Sequence, residues 1–153
     1  MGYVSSEYSH VGGYVTPSTQ QPYTITPILK IKITTSGNTP PINVTTFVSN
    51  TIGTINDGSL LSAKIYYTGC DSEFNTNHLI GTYSVPTGVF QINVNQQLNE
   101  FDNYFWIAYE IAPWVCPAYD FYSYNGTADN LEVNSVNYLP TPVGYNVSVQ
   151  TVC

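Results

Sequence analysis

The sequence predicts an all-β protein, an antiparallel sandwich of the immunoglobulin-like or jelly-roll type. Apolar and polar residues alternate with a period of two in short runs, and turn-forming residues separate these runs at roughly 8–12-residue intervals. No stretch shows the 3.6-residue period of an amphipathic helix. The chain of 153 residues fits one domain spanning 1–153. We expect about seven to ten strands, with 3–14 as an N-terminal strand or arm and 22–151 as the sandwich body.

The first half of the body contains three predicted strands. In the strand at 29–34, leucine and isoleucine alternate with lysine and threonine, and Gly37 to Pro41 end it. The second strand follows at once, and Asn56-Asp57-Gly58 is the turn signal before the third. The residues predicted to face inward from the second and third strands are Ile42, Val44, Thr46 and Val48, then Ala63, Ile65 and Tyr67.

The second half contains the strongest strand pattern, Tyr104 to Ile111, which is apolar on both faces and therefore belongs in the centre of a sheet. A shorter strand at 79–85 and one at 90–95 precede it. The change of apolar phase at Asn134-Ser135 predicts a tight hairpin, and Tyr145, Val147 and Val149 predict a last strand. The common phase of these strands predicts a core containing Ile31, Ile33, Val44, Ile65, Ile92, Phe105, Ile107 and Val133.

Charge excludes several classes of partner. Only 8% of residues are charged, the net charge is −7 and arginine is absent. Nucleic acids and anionic membrane surfaces require clustered lysine or arginine, which the chain lacks. No apolar run reaches the roughly eighteen residues of a membrane-spanning helix. The start lacks the pattern of a signal peptide. We therefore interpret the chain as a mature or recombinant piece of a secreted protein, with a cytoplasmic protein as the alternative.

Several segments carry a resemblance to a known family. They are Tyr3-Val4-Ser5-Ser6, the strand from Ile28 to Gly37, Thr46 to Gly69 with its Ser62-Ala63-Lys64-Ile65-Tyr66-Tyr67-Thr68-Gly69 strand, Asn103 to Ala112 and Val133 to Pro140. In this order and spacing the chain resembles the N-terminal domain associated with BNR-repeat neuraminidases, a module of exported proteins of Gram-negative bacteria. It departs from that family between Trp114 and Asp129, where an aromatic insertion replaces a short polar link.

The resemblance implies an extracellular β-sandwich accessory domain without an activity of its own. A sialidase holds the carboxylate of its substrate with arginines, and this chain has none. His10 and His78 are the only histidines, and no Gly-x-Ser-x-Gly nucleophile motif accompanies them. We therefore predict no enzymatic activity, and surface positions for both histidines.

Acidic residues and cysteines offer two further candidate sites. Asp57, Asp71 and Glu73 lie in predicted loops, as do Asp102, Asp120 and Asp129. Without the spacing of an EF-hand we interpret them as solvated loop acids and predict no cofactor, with Ca²⁺ as the ion to expect if one binds. Cys70, Cys116 and Cys153 are the disulfide candidates. A Cys70–Cys116 bond would add roughly 4 kcal/mol in the chain-entropy model, leaving Cys153 free or paired with another chain.

The aromatic surplus indicates a contact surface, because a domain this small cannot bury every ring. The candidate contact residues are Tyr3, Tyr8, Trp106, Trp114, Tyr119, Phe121, Tyr122 and Tyr124. Tyrosine and tryptophan anchor protein interfaces and also stack on sugars. Rings gathered at an end or edge of the sandwich would favour protein contacts, and rings along one flat sheet face would favour glycan.

Two functions therefore remain open. The first is a non-catalytic structural or adhesive module of a bacterial surface protein or filament, with other copies of itself or neighbouring modules as partners. The second is a carbohydrate-binding accessory domain. The arm at 3–14 bears on the first function, since it completes a sheet either within its own domain or in a neighbour.

Overall fold

The computed structural model describes residues 1–15, 24–55, 59–112 and 122–151. This part of the chain forms strands and no helix, which confirms the predicted all-β sandwich. Eight longer strands carry the fold: β1 (Gly2–His10), β3 (Thr24–Ser36), β4 (Asn43–Asn50), β5 (Leu60–Gly69), β6 (Leu79–Ser84), β7 (Val89–Gln97), β8 (Phe101–Ile111) and β10 (Thr127–Val133). Five strands of two or three residues complete the described part: β2 (Gly13–Val15), β9 (Ser123–Tyr124), β11 (Val136–Tyr138), β12 (Thr141–Pro142) and β13 (Val149–Thr151).

The strands form two main layers and one small sheet. One layer is a six-stranded sheet in the order β12-β1-β3-β8-β5-β6, and the other is a four-stranded sheet in the order β11-β10-β4-β7. The small sheet has the order β2-β13-β9. Pairing is antiparallel apart from β1 with β12 and β2 with β13, which are parallel.

The core lies between the two main layers, and the period-two pattern identified it correctly. All eight residues predicted to be buried, from Ile31 to Val133, are at most 3% exposed. Strand β8 is central in its sheet, as predicted, and buries residues on both faces. Its inner face joins the main core, whereas Trp106 and Ala108 on its outer face form a second, smaller cluster with Tyr66.

Two predicted strands differ from the structure. In β4 the register shifts between Val44 and Thr46, so that Phe47 and Ser49 point inward instead of Thr46 and Val48. A β-bulge of this kind adds one residue to a strand and reverses the facing of the residues after it. The last strand begins only at Val149, and the side chains of Asn146 and Ser148 before it bond to the buried Asn125.

The hairpin predicted at Asn134-Ser135 is confirmed. Both residues have positive φ, 50° and 65°, and Val133 pairs with Val136 across the turn. Two consecutive positive φ values define the type I′ turn, whose twist matches that of the two flanking strands.

The N-terminal arm pairs within its own chain: its main strand, β1, lies in the six-stranded sheet, and β2 at the end of the arm lies in the small sheet. Strand β1 pairs antiparallel with β3 from Gly2 opposite Ser36 to His10 opposite Leu29. Two contacts also tie it to the four-stranded layer. The rings of Tyr3 and Tyr138 stack with their centroids 3.6 Å apart, and the Nε2–H of His10 donates to the carbonyl of Gly126 at 3.0 Å.

Candidate functional site

The two histidines lie in different places, and each contacts an aromatic ring. His10 packs edge-on to Tyr8 with the centroids 5.7 Å apart, and its bond to the Gly126 carbonyl ties the two layers together. His78, just before β6, packs against Tyr67 near the opposite edge of the sheet, with the ring centroids 6.0 Å apart. His78 is exposed, as predicted, whereas His10 is only partly exposed.

The acidic candidates do not converge on one site. Within the described residues no three metal-ligating side chains come together. Asp71 accepts a hydrogen bond from the backbone N–H of Glu73 at 2.9 Å, and Asp129 accepts one from the Thr127 hydroxyl at 2.7 Å. Asp102 accepts one from Thr34 at 3.1 Å. Asp57 and Asp120 lie outside the described residues.

Of the disulfide candidates, only Cys70 lies in the described part of the chain, where it is exposed and its thiol is free. Cys116 and Cys153 lie outside the described residues, so the structure places no partner beside Cys70.

The eight aromatic candidates divide into three groups. Trp114, Tyr119 and Phe121 lie outside the described residues. Tyr3 and Tyr122 are partly exposed. Tyr8, Trp106 and Tyr124 are buried, with at most 7% of each residue exposed, and their rings cannot face a partner.

Trp106 lies on the outer face of the six-stranded sheet but is covered by neighbouring side chains. The ring of Phe74, in the loop after β5, packs against it at a centroid distance of 5.4 Å. Lys30 lies over it on the sheet, with Nζ 5.2 Å from the ring centroid. The indole Nε1–H donates to the Thr68 hydroxyl at 3.0 Å. The tryptophan is therefore part of a small covered cluster and not a platform for sugars.

All three lysines of the chain share this outer face and are engaged within their own sheet. Lys32 forms an ion pair with Glu7 at 3.2 Å, and this hydrogen bond raises the pKa of the lysine. Lys64 lies 3.9 Å from Glu110, and Lys30 lies over the rings of Tyr104 and Trp106. A cleft of about 160 Å³ beside them is lined by Glu7, Ser9, Lys30, Lys32, Tyr104 and Val143.

Exposed aliphatic residues lie at one end of the sandwich, on the loops 51–55 and 85–88 and at the start of β7. We call Ile52, Ile55, Val85 and Val89, the first residue of β7, the apolar end. Each of the four is 58–62% exposed. The sequence did not predict that these four residues lie at the same end, because the two loops follow different strands, β4 and β6.

Hydrogen bonds hold the two loops of the apolar end together. The backbone N–H of Thr51 donates to the Gly88 carbonyl at 3.0 Å, and the Gly88 N–H donates to the Thr51 hydroxyl at 2.8 Å. The N–H of Val85 donates to the Leu61 carbonyl at 3.0 Å. The apolar end is thus a fixed surface, which lowers the entropy lost when a partner binds.

A buried asparagine also orders this end. The side-chain amide of Asn125 donates to Asn146 Oδ1 at 2.7 Å and to Ser148 Oγ at 3.2 Å. Its backbone carbonyl accepts from Thr54 and from Tyr109, both at 2.8 Å. Burial raises the pKa of the Tyr109 hydroxyl, which remains a neutral hydrogen-bond donor.

An open groove of about 490 Å³ lies beside this network. It is lined by Gly13, Tyr14, Asn146, Val147, Ser148 and Gln150. Tyr14 is 76% exposed, and none of these described lining residues is charged. Sequence reasoning placed Tyr14 at the end of the predicted arm, but it did not single out this residue as a contact residue.

No protein-family model matches the chain, and no curated protein matches it. The resemblance to the N-terminal domain associated with BNR-repeat neuraminidases therefore stays a prediction based on the quoted segments. Within the described residues, no helix is long and apolar enough to cross a membrane.

Proposed function

We propose that the chain is a non-catalytic structural or adhesive module of an exported bacterial surface protein, acting through protein–protein contacts. The observation that carries this proposal is the apolar end, where four exposed aliphatic side chains lie on or next to two hydrogen-bonded loops. Contiguous exposed apolar residues are typical of protein interaction sites. Their position at an end of the sandwich, away from a flat sheet face, favours protein over glycan as the partner.

The resemblance in the sequence supports the exported location, and the low charge agrees with it. Partners of this kind are other copies of the chain or neighbouring modules of a larger surface protein. Fractionation of the source cells tests the location, and recovery of the chain in the cytoplasmic fraction would contradict it.

Sedimentation velocity of the full chain tests the contact surface, with and without reductant and from about 10 µM to about 1 mM, the range of weak interactions. We expect the chain to associate as its concentration rises. The double variant Ile52→Asn/Val89→Asn should lose this association. The control is Leu139→Asn, whose residue is 74% exposed but lies outside the apolar end. Association that survives the double variant, or disappears equally in the control, would refute the proposal.

A carbohydrate-binding domain is the second candidate, favoured by the groove beside Tyr14, whose described lining residues carry no charge. An exposed tyrosine ring with amide and hydroxyl side chains nearby suits a neutral sugar. Titration of neutral oligosaccharides, such as cellohexaose and mannohexaose, tests this candidate by calorimetry. Binding should disappear in Tyr14→Ala but persist in Tyr83→Ala, a control tyrosine on β6. The absence of binding, or an equal effect of both substitutions, would exclude the groove as a sugar site.

A further inference from the structure

The cleft on the outer face of the six-stranded sheet is lined by polar side chains from neighbouring strands. Ser9 of β1 lies opposite Lys30 of β3, and two residues along, Glu7 lies opposite Lys32. On the other side of β3, Lys32 lies opposite Tyr104 of β8. Residues opposite each other on one face of a sheet have Cβ atoms about 5 Å apart, so the polar groups of these strands converge on one small region.

Three hydrogen-bond donors of this cleft have no partner among the described residues. They are the Lys30 ammonium group and the hydroxyls of Ser9 and Tyr104, whose side chains make no hydrogen bond or ion pair there. Two aromatic rings instead hold Lys30 in place, with Nζ 5.0 Å from the Tyr104 centroid and 5.2 Å from the Trp106 centroid. A ring face attracts an ammonium group without accepting all of its N–H bonds, so Lys30 can still donate to a ligand.

The charges of the cleft favour an anion at Lys30. Glu7 forms its ion pair with Lys32, at 3.2 Å. Asp102, which accepts a hydrogen bond from Thr34, also acts on Lys32 through a weaker attraction. Both nearby acids of the described part thus act on the same lysine, and neither forms an ion pair with Lys30. A ligand with one negative charge would supply the partner that Lys30 lacks.

The size and the polar groups of the cleft favour a carboxylate on a sugar ring. A volume of about 160 Å³ holds about five water molecules, which suits a carboxylate and part of one ring. A carboxylate accepts several hydrogen bonds, as the ammonium group and the two hydroxyls require. The Glu7 carboxylate needs donors beyond Lys32, and sugar hydroxyls provide them. An acidic protein side chain has a carboxylate but no such hydroxyls, so the cleft suits a uronic acid better.

We propose that this cleft binds a hexuronate residue of an acidic glycan, with the carboxylate at Lys30 and Ser9 and a ring hydroxyl at Glu7. The cleft differs from the apolar end and from the groove beside Tyr14, so this inference goes beyond the proposed function and does not depend on it. The net charge of −7 opposes the approach of an acidic polymer. At about 0.15 M salt, however, exposed charges more than about 8 Å apart are largely screened, and the groups in the cleft determine binding.

Titration of the full chain with trigalacturonate, followed by heteronuclear NMR, tests this site. We expect saturable shifts of the backbone amide signals of Ser9 and Lys30, with a Kd of about 1 mM or below, and no binding of neutral galactotriose. Lys30→Gln should raise the Kd at least about tenfold, because it removes the charge-assisted hydrogen bond. Lys30→Arg keeps the charge and should stay within about threefold of the wild type. The matched control is Lys64→Gln, which changes a lysine of the same face that pairs with Glu110 and should leave the Kd unchanged.

Three results would overturn the proposal. The first is no binding of trigalacturonate up to about 10 mM. The second is an equal loss of affinity in Lys30→Gln and Lys64→Gln, because the total charge would then be responsible and not the cleft. The third is binding of N-acetylglutamate as tight as that of galacturonate, which would show that the cleft recognises any carboxylate. Circular dichroism checks that each variant is folded. These titrations do not involve the apolar end, so the proposed function and this site succeed or fail separately.

Discussion

Replacement of Asn103 by alanine is the most direct test of how this fold maintains its polar core. Asn103 is the fully buried residue whose side chain makes five hydrogen bonds, to Tyr67, Asn99, Phe101 and Ile33. Alanine removes every one of them. The carbonyls of Asn99 and Phe101 lie at the turn between β7 and β8, where the Thr35 hydroxyl still bonds to Asn99 and water can reach the exposed Phe101.

The cost of this substitution comes mainly from one buried donor. The Tyr67 hydroxyl and the Asn99 N–H both lose the acceptor that they share. Tyr67 is buried, and an unsatisfied buried donor costs about 1–3 kcal/mol, whereas Asn99 is exposed and water can replace the lost bond. The small cavity left by the amide adds to this loss. We expect the free energy of unfolding to fall by about 2–3 kcal/mol, a large part of the 5–15 kcal/mol that is typical of a domain.

Urea unfolding followed by fluorescence and circular dichroism measures this change. Asn95→Ala is the matched control, because Asn95 is exposed and accepts one side-chain hydrogen bond, from Asn43. The control should change stability by less than about 0.5 kcal/mol. If Asn103→Ala costs less than about 1 kcal/mol, the network does not stabilise the turn and our reasoning is wrong.

Three further predictions concern packing, pH and the arm. Gly81→Ala should cost about 1–3 kcal/mol, because its Cβ would lie 2.5 Å from a methyl group of Ile92. Gly2→Ala is the control, because a Cβ at Gly2 would have no atom within 4 Å, and it should leave the stability unchanged. Equal urea midpoints for the two variants would contradict this prediction. Burial, with a smaller contribution from Cys70, raises the pKa of Tyr67 to about 12, whereas an unfolded tyrosine titrates near about 10. The folded state therefore holds the Tyr67 proton more tightly than the unfolded state, so the free energy of unfolding should be constant below about pH 10 and fall towards about pH 12. Urea midpoints that do not change between about pH 9 and about pH 11 would disprove this prediction. Deletion of residues 2–15 should lower the melting temperature of the monomer, because β1 pairs within its own chain, and an unchanged melting temperature would exclude that role.

Local pattern was enough to predict the sheets. The alternation at Ile31, Ile33 and Ile107 identified the inner faces of β3 and β8, because successive residues of a strand point to opposite sides. Apolar residues on both faces of β8 predicted its central position. The change of phase at Asn134-Ser135 predicted the hairpin.

The candidate contact surfaces were less predictable. The sequence predicts that Trp106 is an exposed contact residue. In the fold, Phe74 and Lys30 cover its ring, and both are far from it in the sequence. The apolar end depends on Thr51 and Gly88, whose loops meet only in the folded chain. No sequence pattern marks a loop residue as exposed or covered.

The sequence by itself determined which segments are strands and which of their faces are apolar, because these depend on neighbours two residues apart. Tertiary structure decided where β4 bulges, which aromatic rings are covered and that Phe101 has a positive φ. These features arise from contacts between residues distant in the chain, such as Asn103 with Tyr67 and Ile33. Side-chain facing is a local property of an extended backbone, whereas exposure is a property of the packed layers.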